Sequence, residues 1–132
     1  MLSLIFLIMV ASTMSQVATP PRKVGFSYIR GHPFAKIHLE VFLDLLCPDS
    51  QEAWPHLKDV ANLYGPENVA LTVHLFPLPY HQNSFYATRA AYVVHYLTNG
   101  TKTFDWIDKI LLEKLPELGD KVFHDKSDAD LL

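Results

Sequence analysis

The sequence predicts a single α/β domain. The prediction depends on residues 37–76, where two strand-like segments flank a helical one. Segment 37–46 (IHLEVFLDLL) is apolar enough for a buried strand, and segment 69–76 (VALTVHLF) alternates and is rich in β-branched residues. A helical pattern over 48–64 separates them, so the two strands should be parallel neighbours in a right-handed βαβ unit. The length of 132 residues suits one small domain.

A further short strand is expected before this unit. Residues 24–29 (VGFSYI) have aromatic and β-branched content, and Gly31 and Pro33 end the pattern. In the central strand, 37–46, one face is apolar throughout, and the other changes from polar to apolar towards Leu46. Burial of this strand should therefore rise towards Cys47.

Helical periodicity predicts three helices. Pro48 suits the first position of the helix over 48–64, whereas Pro55 should kink its interior. Asn83 or Ser84 should cap a helix over 84–97, and Pro116 and Gly119 should end a helix over 103–115. The expected buried faces are Ala53, Leu57, Val60, Ala61 and Tyr64; then Ala87, Ala90, Ala91, Val94 and Leu97; then Phe104, Ile107, Ile110 and Leu111. The polar tail from Asp120 should fray.

Charge and hydropathy exclude two classes of partner. The net charge of −3, with no Lys/Arg cluster, argues against nucleic acid. No segment reaches the roughly 20 apolar residues that span a bilayer, so we expect no membrane span once a leader is removed.

The N-terminal residues 1–18 resemble a secretory signal peptide. A short apolar run, 2–10, precedes small and polar residues up to Ala18. A buried N-terminal helix is the alternative, but no cap or amphipathic pattern supports it. We therefore assign 1–18 as a signal peptide, 18–23 as a Pro-rich linker and 19–132 as the folded domain, located outside the cell or in the endoplasmic reticulum lumen.

Asn99 begins an Asn-Gly-Thr sequence in a predicted loop. In a secreted chain this would be an N-glycosylation site. Asn-Gly is also a good helix stop, so both interpretations stay open.

Cys47 is the single cysteine, so no disulfide can form within the chain. It is predicted at the end of a strand and the start of a helix, where the unpaired N–H groups favour a thiolate. Ser50 could donate a hydrogen bond to that thiolate. The alternative is an inert thiol packed against Leu46 and Trp54.

Other candidate site residues lie near Cys47 in the predicted fold. Trp54 and Tyr80 could offer an aromatic surface to a client protein, with Pro48 beside the thiol, and His81 should lie at the carboxyl end of the sheet. The seven histidines form no His-x-x-x-His pair and have no second Cys to complete a zinc site, so we expect no metal. No Gly-rich phosphate loop is present, and we expect no cofactor.

These motifs together resemble the thioredoxin superfamily, and more closely its DsbA-like domains. The matching features are the strand ending Leu43-Asp44-Leu45-Leu46, then Cys47-Pro48, and Pro55 eight residues after the Cys. They also include segment 76–81 (FPLPYH) before an Ala-rich helix. The combination resembles a secreted eukaryotic group with a Cys-Pro-Asp-Ser site. The resemblance covers about 31–115 and implies a thioredoxin-like fold with a helical insertion.

The departures from that pattern matter for function. Redox-active members have Cys-x-x-Cys, whereas Ser50 replaces the second Cys here, so no second thiol can resolve a mixed disulfide. The position six residues before the Cys, acidic in the oxidases, is Val41; Glu40 and Asp44 are expected to point elsewhere. The family's later strands, its cis-proline loop and its last helix have no counterpart before Leu132. We therefore expect an incomplete, C-terminally truncated DsbA-like fold.

Two functions follow from this resemblance. The first is a secretory thioredoxin-fold module that binds proteins and is non-catalytic or weakly active. The second is a monothiol thiol–disulfide oxidoreductase that uses Cys47 as nucleophile, with a protein client or glutathione as partner. A third outcome is a chain that does not fold alone, in which strand 69–76 would have a partly uncovered edge.

Overall fold

The computed structural model describes residues 25–118, so the predicted signal peptide, the linker and the polar tail lie outside the described residues. The strands in this part of the chain are β1 (Phe26–Ser27), β2 (Ile37–Leu43) and β3 (Val69–Leu75). The helices are α1 (Pro48–Tyr64), α2 (Ser84–Leu97), α3 (Thr103–Asp108) and α4 (Leu115–Leu118), with a π-helical segment, Lys109–Lys114, between the last two.

The three strands form one sheet in the order β1-β3-β2. β2 and β3 are parallel, in a register that places Ile37 opposite Val69 and Leu43 opposite Leu75, which confirms the predicted βαβ unit. β1 pairs antiparallel with β3. The pairing with β1 involves only Val73 and Thr72 of β3, so the edge of β3 on that side is covered over part of its length. The outcome in which the chain does not fold alone stays a prediction.

The structure corrects the bounds of both strands that were predicted before α1. β1 is shorter than 24–29 because Tyr28–Arg30 form a 3₁₀ turn. That turn brings Gly31 against β3 so closely that a Cβ there would lie 2.6 Å from Ala70 Cα. β2 ends at Leu43 because the Cys47 amide N–H donates to the Asp44 carbonyl oxygen at 3.1 Å, which closes a turn.

The buried face of α1 matches the predicted stripe only in part: Leu57 packs against the core and Ala61 is buried, as predicted. Trp54 and Ala61 are fully buried, whereas the predicted Ala53, Val60 and Tyr64 are exposed. Trp54 has the largest side chain on the helix, and its burial sets which face turns inwards.

The later helices follow the prediction more closely. Ala87 and Ala91 of α2 are buried, as are Ile107, Ile110 and Leu111, but Leu97 is 74% exposed because it lies in the last turn. Pro116 does not end the helical region; it lies within α4. The wider π-helical turn just before it relieves the clash between a proline ring and the preceding turn.

The core lies between one face of the sheet and the helices, with Leu43, Trp54, Leu71, Ile107 and Leu111 at its centre. On one face of β2 burial rises from Ile37, 57% exposed, to Leu43, 2% exposed. On the other face the β2 residues stay exposed, and the predicted burial begins only after the strand, at Asp44 and Leu46. The best-packed part of the fold is therefore the end of the sheet that leads to Cys47. Within 25–118, no helix has the length and apolar character to cross a membrane.

Candidate functional site

Cys47 is the N-cap residue of the 17-residue helix α1, and its thiol is free and partly exposed. Its backbone is extended (φ −87°, ψ 125°), and its carbonyl oxygen accepts the first helical hydrogen bond, from the Gln51 N–H at 3.0 Å. Pro48 follows at the first helical position and is exposed. The first-turn N–H groups have no acceptor within the helix, so this end of α1 carries a partial positive charge, although the Cys47 side chain makes no capping hydrogen bond to them.

Ser50 occupies the position at which a second thiol would lie. Its Oγ accepts a hydrogen bond from the Asp44 backbone N–H at 3.2 Å. No hydrogen bond joins Ser50 Oγ and Cys47 Sγ in the described part of the chain. The donation from Ser50 to a thiolate therefore stays a prediction, while the structure gives this hydroxyl a role in fixing the turn before Cys47.

Asp44 is the centre of the polar contacts at this end of the sheet. Asp44 is 3% exposed, and hydrogen-bond donors lie against both oxygens of its carboxylate. Oδ1 accepts from the Leu46 N–H at 2.8 Å and the Ser84 hydroxyl at 2.5 Å. Oδ2 accepts from the Leu78 N–H at 2.7 Å and lies 2.8 Å from His81 Nδ1. None of these contacts is to the Cys47 thiol, so Asp44 acts on the site through the turn that carries Cys47.

This carboxylate joins three separate segments. The turn 44–47 that holds Cys47, the loop after β3 and the first turn of α2 all meet on it. A buried carboxylate with four donors is strongly held, because charge-assisted hydrogen bonds are stronger than neutral ones. The position of the Cys47 turn thus depends on Asp44.

His81 lies at the carboxyl end of the sheet, as predicted. Its Nδ1 faces Asp44, three residues before Cys47, and its side chain is only 15% exposed. Tyr80, beside it, is 69% exposed and meets the His81 ring edge-on, with ring centroids 4.7 Å apart. His81 is therefore a structural partner of Asp44, whereas Tyr80 is free to contact another molecule.

Trp54 does not form part of any surface. It is 0% exposed, its indole N–H donates to Asp108 Oδ1 at 2.5 Å, and its ring stacks on Phe104. The prediction that Trp54 offers an aromatic surface to a client is corrected, because the side chain is the centre of the core.

The aromatic surface at this end of the molecule comes from other residues. Phe42 is 64% exposed and Phe76 is 56% exposed, and their rings meet edge-to-face at 6.4 Å. Both lie at or just after the carboxyl ends of β2 and β3, as Tyr80 does. We call Phe42, Phe76 and Tyr80 the aromatic rim.

An apolar pocket of about 280 Å³ lies on the side of Leu46, directly before Cys47. Helix α2 and the C-terminal helical region supply most of its walls. The lining residues are Leu46, Asn83, Tyr86, Ala87, Ala90, Trp106, Ile110 and Leu118. A pocket of this kind suits one apolar side chain.

Sequence reasoning missed Asp44 as a site residue, and a signal was present. An ionisable residue between Leu43 and the Leu45-Leu46 pair interrupts a wholly apolar run, which indicates a buried and paired carboxylate. Nothing in the sequence marks His81 and Ser84 as partners of Asp44 in the same way, because polar residues are common in a loop before a helix.

Asn99 lies just after α2, is exposed and has a left-handed backbone (φ 49°). This conformation fits its role as a helix stop. Its glycosylation stays a prediction. Among residues 25–118 no group of three His, Cys, Asp or Glu side chains is placed to hold a metal ion.

Comparison with known proteins yields a match in structure alone. No protein-family profile and no curated protein matches the sequence. The chain is similar to the crystal structure of a candidate protein-disulfide isomerase from Pseudomonas syringae, with a TM-score of 0.65 and 23% sequence identity. The similarity covers 81% of this chain and 60% of the bacterial chain, so the present chain spans about three fifths of that structure's length. The protein therefore has the mixed α/β, thioredoxin-like fold of the DsbA-like type.

Proposed function

We propose that this protein is a thioredoxin-fold module that binds other proteins at the Cys47 end of its sheet and does not complete a dithiol redox cycle. The observation that carries the proposal is the pairing of a partly exposed Cys47 with Ser50 at the resolving position. A mixed disulfide formed at Cys47 would persist within this chain, because Ser50 cannot attack it.

Two features of the surface support protein binding. The aromatic rim presents three exposed rings around the carboxyl ends of the strands, and exposed aromatic side chains are favoured contacts in protein interfaces. The apolar pocket beside Leu46 would accept a client's apolar side chain. Neither feature requires a reactive thiol, so binding is expected to survive the loss of Cys47.

A monothiol oxidoreductase is the second candidate, and the position of Cys47 at a helix N-terminus favours it. In that reaction the Cys47 thiolate attacks a disulfide R–S–S–R′, forming Cys47–S–S–R and releasing R′S⁻. A glutathione thiolate then attacks the R sulfur, which releases R–S–S–glutathione and restores the Cys47 thiolate. The fold shared with a candidate disulfide isomerase supports this chemistry only as an analogy.

Binding of two forms of one unfolded client separates the candidates. A fluorescent unfolded polypeptide with alkylated cysteines is titrated with the wild-type protein, with Cys47→Ser and with Tyr80→Ala, and anisotropy reports binding. The proposal predicts equal affinity for wild type and Cys47→Ser. It predicts roughly tenfold weaker binding for Tyr80→Ala, since an exposed aromatic anchor typically contributes about 1 kcal/mol or more.

The same client with an intact disulfide tests the second candidate. If only this form binds, and Cys47→Ser abolishes binding, the protein acts through its thiol and the binding-module proposal is wrong. Tyr96→Ala serves as a matched control, because Tyr96 is 85% exposed and lies near the C-terminal end of α2, whereas Tyr80 precedes the N-terminal end of that helix.

We also propose that the protein works in the secretory pathway. Its apolar N-terminus resembles a signal peptide, and client disulfides are abundant in that compartment. The exposure of Asn99 would leave room for a glycan there.

A further inference from the structure

A second pocket, of about 380 Å³, lies beside β1. Its walls come from Ser27 and the turn Tyr28–Arg30, from the end of α2 with the loop 99–101, and from Phe104 of α3. All of these segments lie inside the described chain. The pocket is remote from the Cys47 site, because the first turn of α2 contacts Asp44 and its last turn lines the pocket. α2 has 14 residues, so its two ends lie about 20 Å apart at about 1.5 Å per residue.

The backbone around this pocket is strained. Among residues 25–118, the residues other than glycine that have a positive φ are Ile29 (45°), Arg30 (49°) and Asn99 (49°), and all three line the pocket. A β-branched residue such as Ile29 is a genuine outlier in this conformation. Strained residues of this kind lower stability, and they cluster at active sites and ligand-binding sites. The strained positions of the described chain thus converge on one cavity.

Packing at both ends holds the turn 28–30 in its left-handed conformation. The Tyr28 ring meets the Phe104 ring edge-on, with centroids 5.1 Å apart. At the other end, Gly31 lies so close to β3 that a Cβ there would be 2.6 Å from Ala70 Cα. Since the turn is fixed on both sides, the backbone of Arg30 is positioned at the pocket before any ligand binds, which lowers the entropic cost of binding.

The polar groups of the pocket favour an anion. The described residues that line it include one arginine and no acidic side chain. Arg30 forms no ion pair with any residue of 25–118. Within the same range, the side chains of Ser27 and Asn99 donate no hydrogen bond. A guanidinium with uncommitted N–H groups suits a carboxylate, whose two oxygens match its planar fork.

His95 forms a fixed polar wall of the pocket. The Thr103 hydroxyl donates to the Gly100 carbonyl oxygen at 3.1 Å, so it accepts from His95 Nδ1 at 2.8 Å. The imidazole also packs against Phe26, with ring centroids 4.8 Å apart. These contacts hold the ring in place and leave Nε2 as the nitrogen that a ligand can contact.

We propose that this pocket binds a small organic carboxylate. Arg30 pairs with the carboxylate, and Ser27 and Asn99 donate to its oxygens. The apolar body of the ligand lies against Ile29, which is 40% exposed, and Phe104. A volume of about 380 Å³ is within the range of small-molecule sites.

Titration with benzoate tests the ligand class. The protein is produced from its complete sequence in a bacterial host, so that Asn99 carries no glycan, and NMR follows the Gly100 amide and the His95 ring. Neutral benzamide and inorganic phosphate are titrated in parallel. Benzoate should bind at least tenfold more tightly than either, because benzamide lacks the charge and phosphate lacks the apolar body.

Substitution of Arg30 separates binding from folding. Arg30→Gln should weaken benzoate binding at least tenfold, whereas Arg89→Gln, the same change at an exposed arginine of α2 outside the pocket, should leave it unchanged. Arg30→Gly should also abolish binding. It should not lower the urea midpoint, since glycine adopts the positive φ of this position without steric cost. A merely structural role for Arg30 would lower that midpoint.

Four results would overturn the proposal: no benzoate-dependent shift at millimolar concentration, benzamide binding as tight as benzoate binding, phosphate binding as tight as benzoate binding, or benzoate binding that Arg30→Gln leaves unchanged. None of them bears on Cys47 or on the aromatic rim, so the proposed function is tested separately.

Discussion

Replacing Ser50 with Cys should convert the site into a working disulfide reductase. In Ser50→Cys, Cys47 attacks a client disulfide, and the thiolate introduced at position 50 then attacks Cys47 Sγ. This releases the second client sulfur as a thiol and leaves a disulfide between Cys47 and position 50, which an external dithiol reduces. Insulin disulfide reduction should accelerate roughly tenfold or more over wild type, because an intramolecular thiol acts at high effective concentration.

Two variants control this experiment. Ser50→Ala removes the hydroxyl that accepts from the Asp44 N–H and adds no thiol, so it should not raise the rate above the wild-type level. Ser50→Cys combined with Cys47→Ser should also stay at that level. A Ser50→Cys protein that folds but reduces insulin no faster than wild type would contradict the assignment of Cys47 as a thioredoxin-type site.

Replacing Asp44 with Ala should cost about 3–5 kcal/mol of unfolding free energy, the range for removing one partner of a buried charged network. The carboxylate satisfies the Leu46 and Leu78 N–H groups and the Ser84 hydroxyl, and it faces His81. Without it these donors remain buried and unpaired, which carries their full desolvation cost. A loss of this size is a large fraction of the roughly 5–15 kcal/mol typical of a domain.

Urea denaturation followed by tryptophan fluorescence measures this effect, since Trp54 is buried in the core. Asp44→Asn keeps the side-chain volume but turns an amide NH₂ towards donors, so it should also destabilise strongly. Asp49→Asn is the matched control, because Asp49 is exposed in the first turn of α1, and its change should stay within about 0.5 kcal/mol. Equal midpoints for Asp44→Ala and Asp49→Asn would show that the Asp44 network does not hold the Cys47 turn.

The sequence predicted the parallel pair β2–β3 and helix α1 between them, because hydrophobic periodicity reports burial directly. It placed Cys47 at a helix N-terminus for the same reason. It placed Leu57 and Ala61 on the buried face of α1 correctly but misjudged the first turns, since periodicity alone cannot say that Trp54, rather than Ala53, turns to the core. The difference of one residue moved Trp54 from the expected client surface to the centre of the fold.

The polar part of the site was not predictable in the same way. Asp44 makes its contacts with Leu78, His81 and Ser84, which are 34 to 40 residues away along the chain. Such contacts depend on how the loop after β3 packs against the Cys47 turn, and no local pattern encodes that packing.

The central claim about the site is that Cys47 is an accessible thiol whose mixed disulfides Ser50 cannot resolve. Its most direct test is the reaction of the native protein with a small disulfide such as oxidised glutathione, followed by intact mass. The account predicts that Cys47 reacts in the native protein at least as fast as in urea. It also predicts that one equivalent of mixed disulfide accumulates and persists until an external thiol is added. A native protein that does not react, when the urea-unfolded protein does, would show that the fold encloses Cys47 and would contradict this claim, whereas client binding at the aromatic rim has its own test.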